Sequence, residues 1–375
     1  MDIPTFRRLE FARRDAGLKN SQPMKLIKTD IKKERLHIAY VMTWVGICGG
    51  SKIILQHCNL LVDRGHRVTI VCHFPKPSWF PLDVRIGFVQ PPMGDVLCEY
   101  IPKCDVIVAT YWKEVYECME QNIAPVVYFE QGDTHRFAPE TMDAYTMEHI
   151  RKQIEIAPFV YTVSTFASEM LKVNFNVYAK VIPNAVDKNR FYPCAINRDI
   201  DYKTVITAIG SEHIGFKCIF NIVVAIELLK KLGYNIEFIW ISPDTPARLT
   251  KIPVKINPSQ KEIGDCLRRS DIYICASLYE SFCLSVLEAM ACGATVITTD
   301  NGGVRDFVKD QINSLIIEKN SIADIVKKAV ILINDVALRK RLAHTAVETA
   351  DEFDWIHTTD KLVNYYHDIS SYQIE

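Results

Sequence analysis

The sequence lacks a net charge, an apolar run of membrane length and any paired-cysteine motif. Lys+Arg 44 stand against Asp+Glu 45, so a protein-wide basic field of the kind that attracts nucleic acid is excluded. The longest apolar stretch, Leu36 to Cys48, stops well short of the roughly 18–20 residues that a membrane span needs. Twelve cysteines are present, but none forms a CxxC pair and no His/Cys cluster has zinc spacing, so neither a metal site nor a disulfide framework is predicted.

The N-terminal residues 1–35 are polar and basic. They hold ten lysines and arginines against five acidic residues, and no apolar signal core follows Arg14. We therefore predict a reducing, cytoplasmic setting and an N-terminal extension. Two interpretations of the extension stay open: an arm that contacts anionic lipid on the cytoplasmic face of a membrane, or a partner, and a leader without a role.

Short apolar runs alternate with helical stretches along the rest of the chain. Strand-like runs are LHIAYVM, HRVTIVC, CDVIVAT and APVVYFE, and a second series contains TVITAIG, IEFIWIS, DIYICAS, ATVITTD and SLIIE. Runs that are apolar on both faces and alternate with helices predict parallel sheets covered by helices. A chain of 375 residues is also too long for one ordinary core, so two doubly wound α/β domains are expected.

We place the first domain at residues 36–195 and the second at 196–354, with a linker near Pro183 to Arg198. The final amphipathic stretch, residues 355–375, is predicted to pack back onto the first domain. In such folds the carboxyl ends of the strands carry the ligand site, so a cleft between the domains is expected.

The first loop, VGICGGS, follows a strand and opens a helix at Ser51 or Lys52. Gly49 and Gly50 there would let a phosphate approach the backbone amides. The loop is not GxGxxG, and VTIVCHFP offers no acidic residue at the end of the next strand, which argues against a nicotinamide cofactor.

The most informative segment is DIYICASLYESFCLSVLEAMACGATVITTD, residues 271–300. A buried strand is predicted to end at Ser277, and a helix that starts near Cys283 or Leu284 carries Glu288. An ionised carboxylate in an apolar helix needs a hydrogen-bonding partner, and the amides of Phe282, Cys283 and Leu284 would attract a diphosphate or sugar. On spacing alone, a solvated Glu280 and a salt-bridged Glu288 are equally compatible with the sequence.

This segment resembles the signature of the family 4 retaining glycosyltransferases (glycosyl transferases group 1), which have the GT-B fold of two Rossmann-like domains facing a central cleft. Other motifs occur in the same order: GGSKIILQHCNLLVDRGHRVTIV, VSTFASEMLK, VIPNAVDKNRFYP and NGGVRDFVKDQINSLII. The resemblance runs from about Leu36 to the C-terminus, and several ordered motifs are more specific than any single one.

The resemblance implies transfer of a sugar from a nucleotide-diphosphate sugar to an acceptor, with the anomeric configuration retained. Glu288 would bind the donor ribose, Glu280 the hydroxyls of the transferred sugar, and Lys217 the diphosphate. Gly50 would face the same phosphates from the first domain. A cation and helix N-terminal amides can stabilise the departing diphosphate, so no metal and no other cofactor is expected.

The sequence departs from the family pattern at several positions. Ser211 stands where an arginine is usual, and His213 is a candidate replacement whose charge near neutral pH is open. Ala185, Ser281 and Cys283 stand where glycines are common. The active-site histidine that is frequent in the first domain has no clear counterpart; Gln131, Asp133 and His135 are the candidates on the acceptor side.

The acceptor is expected to be a glycan, a lipid-linked molecule or a small molecule, as in glycan or cell-surface polysaccharide synthesis. Two alternatives stay open. One is a catalytically degenerate subunit that binds or stabilises a partner; the other is an epimerase or phosphorylase of the same fold. The sugar, the base and the oligomeric state are not determined by these residues.

Overall fold

Two parallel sheets, each packed against helices, form the framework of the chain. The computed structural model describes residues 3–132, 142–194, 203–246 and 252–375. The chain divides into two compact units: the first comprises Met1–Val163, Ala167–Ile182 and Ile356–Glu375, and the second comprises Ser164–Phe166 and Pro183–Trp355. The predicted α/β class, with one doubly wound sheet in each half of the chain, is confirmed.

The first unit is built around a seven-stranded sheet. Its helices are α1 (Ile3–Leu18), α2 (Gly49–Asp63), α3 (Val115–Glu120), α4 (Ala144–Ile156) and α5 (Thr165–Phe175), and its strands are β1 (Leu26–Lys28), β2 (His37–Val41), β3 (Arg67–Val71), β4 (Gly87–Val89), β5 (Val106–Ala109), β6 (Val126–Glu130), β7 (Phe159–Thr162) and β8 (Lys180–Val181). The strand order is β4-β3-β2-β5-β6-β7-β8, with parallel pairing throughout. The central strands β5 and β6 are buried along their whole length, because helices cover both faces of a parallel sheet.

The second unit repeats this plan with six strands. Its strands are β9 (Thr204–Ile209), β10 (Ile236–Ser242), β11 (Val254–Ile256), β12 (Ile272–Cys275), β13 (Thr295–Thr299) and β14 (Ser314–Ile317), and its helices are α6 (Ile219–Lys231), α7 (Gln260–Arg269), α8 (Leu284–Ala291), α9 (Ile322–Asn334) and α10 (Val336–Asp351). The order is β11-β10-β9-β12-β13-β14. Strands β9 and β12 are therefore neighbours, so the loops that follow them lie at the same edge of the sheet.

The C-terminal segment belongs to the first unit. Helix α11 (Trp355–Ser370) is followed by strand β15 (Tyr372–Ile374), which pairs antiparallel with β1. The Tyr366 hydroxyl lies 2.8 Å from the Tyr40 hydroxyl and 2.9 Å from the Tyr161 hydroxyl. All three rings are fully buried, so these mutual hydrogen bonds satisfy polar atoms that water cannot reach.

The N-terminal residues are not the appendage that their composition suggests. Helix α1 packs against α3 and α4, and its Arg14 is only 2% exposed. Arg14 donates to Glu117 at 2.8 Å and to Glu10 at 3.1 Å, while Arg13 donates to the same Glu117. At least two of the basic residues in this segment, Arg13 and Arg14, are therefore paired with acidic residues of the first unit. None of the helices within the described ranges is long and apolar enough to cross a membrane.

Candidate functional site

Lys217 and Glu280 form an ion pair in the second unit. Lys217 lies in a 3₁₀ turn, Gly215–Lys217, in the loop after β9, and Glu280 lies in the loop after β12. The Lys217 Nζ donates to Glu280 Oε1 at 2.6 Å, with side chains 28% and 14% exposed. Burial opposes the charge on Lys217, but the Glu280 carboxylate outweighs it and raises the pKa of Lys217. The pair therefore presents a fixed ammonium and a fixed carboxylate in a partly dry setting.

The loop that carries Glu280 is held against the loop after β13. The Glu280 amide donates to the Asn301 carbonyl at 2.9 Å. A Cβ on Gly303 would lie 2.5 Å from the Phe282 nitrogen and 2.8 Å from the Glu280 carbonyl oxygen. Gly303 is thus required by the close approach of two backbone segments, and this approach fixes the position of Glu280.

Helix α8 begins at Leu284, as predicted, immediately after this loop. Its N-cap residue, Cys283, has φ +61°, a backbone conformation that is unfavourable for residues other than glycine. Phe282 is buried against Phe307 and Phe353, with ring centroids 5.4 and 6.0 Å away. The aromatic contacts anchor the segment, so that the amides of the first turn of α8 have a fixed direction.

Glu288 lies in the second turn of α8 and is 6% exposed. Its neighbours on the helix, Leu287 and Ala289, are fully buried. An acidic side chain at this depth is uncommon and requires hydrogen-bonding or charged partners. The loop-and-helix arrangement predicted for the two glutamates is what the structure contains.

Ser211 contacts Asp244, an acidic residue that the sequence did not point to, and His213 contacts the neighbouring Thr245. The buried Ser211 hydroxyl donates to the Asp244 carboxylate at 2.7 Å, and Ser242 donates to it at 2.9 Å. His213 Nε2 lies 3.1 Å from the Thr245 carbonyl oxygen, so that nitrogen carries the proton. Asp244 follows the end of β10, and its position after a buried strand is the signal that could have identified it.

Gly50 and Gln131 meet in the first unit. Helix α2 begins at Gly49, earlier than predicted, with the Cys48 sulphur accepting from the Ser51 amide at 3.3 Å. Gln131 Nε2 donates to the Gly50 carbonyl at 3.3 Å. Both line a cavity of about 500 Å³. Asp133 and His135, the other acceptor-side candidates, lie outside the described residues.

The same cavity combines cations, aromatic rings and a buried carboxylate. Arg7, Trp44, Tyr111 and Lys113 line it together with Glu130. Lys113 Nζ lies 5.4 Å from the centroid of the Tyr111 ring, and burial lowers the pKa of Lys113. Glu130 accepts a hydrogen bond from the Tyr128 hydroxyl at 2.6 Å, and this bond stabilises the Glu130 carboxylate. Two cations and several aromatic rings thus line one cavity.

Three side chains, one of which is the Glu280 of the ion pair, could hold a metal ion. The sulphurs of Cys275 and Cys283 and a carboxylate oxygen of Glu280 all lie within 4.8 Å of one another. A hydrogen bond from Cys283 lowers the pKa of the Cys275 thiol to about 7. Sequence spacing missed this group, because its members come from a strand, a loop and a helix cap.

Comparison with known proteins finds a family match in the second half of the chain. Residues 249–349 match the family described as glycosyl transferases group 1. An uncharacterised glycosyltransferase of Methanocaldococcus jannaschii is 26% identical over 205 residues, 52% of this chain, and the match spans 55% of that relative's length. The chain therefore spans about half the length of this curated relative.

Solved structures extend the likeness to most of the chain. Sucrose-phosphate synthase from Thermosynechococcus elongatus has a TM-score of 0.74 at 16% identity, covering 88% of this chain and 98% of that one. Anabaena HepE in complex with UDP-glucose has a TM-score of 0.72 at 15% identity, covering 88% and 99%. At these identities the likeness shows the fold alone, and it confirms the predicted GT-B fold. Residues 249–349 therefore match the group 1 glycosyltransferase family, and the chain has the GT-B fold.

Proposed function

We propose that the chain transfers a sugar from a nucleoside-diphosphate sugar to an acceptor hydroxyl, with retention of the anomeric configuration and without a metal ion. The observation that carries the proposal is the Lys217–Glu280 ion pair, 2.6 Å long, beside the N-terminus of α8. A donor of this kind needs a cation for the diphosphate and an acceptor of hydrogen bonds for the sugar hydroxyls. Both groups are present at one edge of the second sheet.

Departure of a nucleoside diphosphate builds negative charge on a phosphate oxygen. The Lys217 ammonium and the amides of Phe282, Cys283 and Leu284 would stabilise that charge. In many enzymes, such stabilisation by fixed dipoles and cations is the largest single contribution to the rate enhancement. Metal-independent transfer follows, since the protein itself supplies the positive charge.

Glu280 has two tasks in this proposal. It fixes the Lys217 ammonium and accepts hydrogen bonds from the transferred sugar. Glu288, which is 6% exposed on helix α8, would accept from the ribose hydroxyls of the donor. In the transfer step the acceptor hydroxyl attacks on the face from which the diphosphate leaves, and the departing phosphate oxygen takes the hydroxyl proton. The new glycosidic bond then has the configuration of the old one.

We assign acceptor binding to the cavity of the first unit. Its volume of about 500 Å³ is in the range of small-molecule sites. Trp44 and Tyr111 offer surfaces on which a sugar ring can stack, and Arg7 and Lys113 favour an acceptor that carries a phosphate or carboxylate. Gln131 lies at the same cavity and is a candidate partner for the acceptor hydroxyl.

The test is transfer in vitro from a panel of uridine- and guanosine-diphosphate sugars, in the presence of a metal chelator. Phosphorylated and unphosphorylated sugar acceptors are compared, and proton NMR reads the anomeric configuration of the product. Transfer with retention that persists in chelator supports the proposal. An inverted product, or activity that returns only with added metal, would contradict it.

A degenerate binding subunit is the second candidate, and one observation favours it. Ser211 stands where the family usually has an arginine, and it binds the Asp244 carboxylate at 2.7 Å. This exchanges a cation near the expected diphosphate for a neutral hydroxyl and an acid. A subunit of this kind would bind a nucleotide sugar without transferring or hydrolysing it, whereas the enzyme would consume the donor.

A further inference from the structure

We propose that Cys275, Cys283 and Glu280 form a binding site for a soft divalent metal ion such as Zn²⁺, and that metal binding there inhibits sugar transfer. The site itself is independent of the proposed function; its inhibitory effect rests on that function. Within the described ranges, this is the one group of three metal-ligating side chains whose ligand atoms lie within 4.8 Å of one another.

The distance between the two sulphurs fits a bridging metal. They lie 3.6 Å apart. Two thiolates on a tetrahedral zinc ion, each about 2.3 Å from the metal, are about 3.8 Å apart. A disulfide would instead require the sulphurs to close to about 2.05 Å. Because Cys275 ends a central strand and Cys283 caps a helix, a metal needs less movement than a disulfide.

The surroundings of the sulphurs suit a metal-thiolate centre. The Asn301 Nδ2 group lies 4.0 Å from the Cys275 sulphur and 3.9 Å from the Cys283 sulphur. Ser277 Oγ lies 3.5 Å from the Cys275 sulphur. Polar groups of this kind orient thiolate ligands and tune their basicity.

The charge of the site also balances. Zn²⁺ with two thiolates and one carboxylate carries a charge of −1. Lys217, whose ammonium lies 2.6 Å from Glu280 Oε1, neutralises that charge. On binding, the two thiols release their protons to solvent. Glu280 is the most exposed of the three ligands, with a side chain 14% exposed, whereas Cys275 and Cys283 are 7% and 5% exposed.

Metal binding would remove two groups from the proposed transfer reaction. Glu280 would coordinate the metal and could no longer accept hydrogen bonds from the sugar hydroxyls. The Lys217 ammonium would pair with the anionic metal centre and no longer with the diphosphate. The presence of Cys283 supports a role for its thiol, because a residue with φ +61° is less strained as glycine.

Cadmium titration tests the site directly, because cadmium-thiolate bonds absorb in the near ultraviolet. All proteins would carry C48S and C194S, which remove two exposed thiols. The variants are C283G, which suits the backbone and should fold, and C275A. The matched control is C118S, since Cys118 and Cys98 form another buried pair with sulphurs 3.6 Å apart. Zn²⁺ affinity is then read from displacement of Cd²⁺, and circular dichroism checks the fold.

We expect the parent protein and C118S to bind one Cd²⁺ per chain with two-thiolate absorption. C283G and C275A should lose that band and bind at least about 10- to 100-fold more weakly. Equal absorption in C283G and the parent, or loss of the band in C118S alone, would overturn the site. The inhibitory effect is tested by the ratio of transfer rates with and without Zn²⁺: it should fall in the parent and stay near one in C283G. A Cd²⁺ band in a parent protein that transfers no sugar from any donor would reject the proposed function and leave the metal site standing.

Discussion

The Lys217 ammonium donates to the Glu280 carboxylate across a distance of 2.6 Å, although the two residues are 63 positions apart. Their loops follow β9 and β12, which pair in parallel in the second sheet. The sheet therefore brings a cation and an acid to one edge, beside the first turn of α8.

Replacing either member of this pair should reduce sugar transfer. Glu280→Gln keeps the shape of the side chain but removes the charge that fixes Lys217, and Lys217→Met removes the cation itself. We expect turnover to fall at least about 10- to 100-fold in each variant. Glu237→Gln, which breaks the exposed Arg269–Glu237 pair of the same unit, is the control and should transfer at the parent rate. Parent-like rates in both site variants would refute the assigned roles.

Gly303→Ala should impair transfer through position rather than chemistry. A methyl group there would meet the Phe282 nitrogen at 2.5 Å, so the loop that carries Glu280 must shift. We expect a lower turnover in a chain that still folds, measured by steady-state kinetics and circular dichroism. An unchanged turnover would show that the contact between the two loops does not set the position of Glu280.

Arg14→Ala should destabilise the first unit. Arg14 is 2% exposed and has the buried Glu117 as a partner at 2.8 Å, so its removal leaves a buried carboxylate short of a partner. Breaking one side of a buried ion pair costs about 3–5 kcal/mol. Arg8→Ala on the exposed face of the same helix is the matched control. The midpoint of thermal denaturation should be lower for Arg14→Ala than for Arg8→Ala. Equal midpoints would indicate that the ion pairs of Arg14 contribute little to the stability of the first unit.

Glu114 should make the first unit less stable as pH rises. Burial raises the pKa of Glu114 to about 7 from its ordinary 4.5, so between these values the folded chain holds a proton that the unfolded chain gives up. The stabilisation is complete below about pH 4.5 and is lost as pH rises through 7, by up to about 3 kcal/mol. Glu114→Gln should remove this decline, seen as a flatter thermal midpoint between pH 5 and 8. Glu117→Gln, which removes a partner of Arg13 and Arg14, should lower the midpoint throughout that range. A decline that persisted in Glu114→Gln would assign the pH dependence to another group.

Lys113→Met should weaken binding of an anionic acceptor. Lys113 lines the first-unit cavity, and burial lowers the pKa of its ammonium, a cost that an acceptor phosphate or carboxylate would offset. We expect KM for a charged acceptor to rise with little change in kcat, and no change for an uncharged acceptor. Lys103→Met, an exposed position away from the cavity, provides the control. Equal KM values for charged and uncharged acceptors in the parent protein would contradict the assignment.

Local patterns in the sequence predicted most of the framework, because buried parallel strands and their helices leave signals in residues that are adjacent in the chain. The helix from Leu284, with Glu288 on it, was predicted in this way, and the preceding strand was predicted to end at Ser277, two residues after its observed end at Cys275. The contacts between residues that are distant in the sequence were not predicted. The pairing of Ser211 with Asp244, the burial of Arg14 against Glu117 and the meeting of Cys275 with Cys283 depend on which strands and helices become neighbours. The composition of residues 1–35 favoured a free arm, because the sequence does not distinguish charged residues that are ion-paired in the fold from charged residues that are solvated.

Calorimetric titration with uridine- and guanosine-diphosphate sugars, in chelator, tests the central claim most directly when it compares the parent with Glu288→Gln and Lys217→Met. The account predicts that one donor binds the parent without metal and that both variants lose at least about tenfold in affinity. Equal affinity in all three proteins, or binding only when metal is supplied, would contradict it.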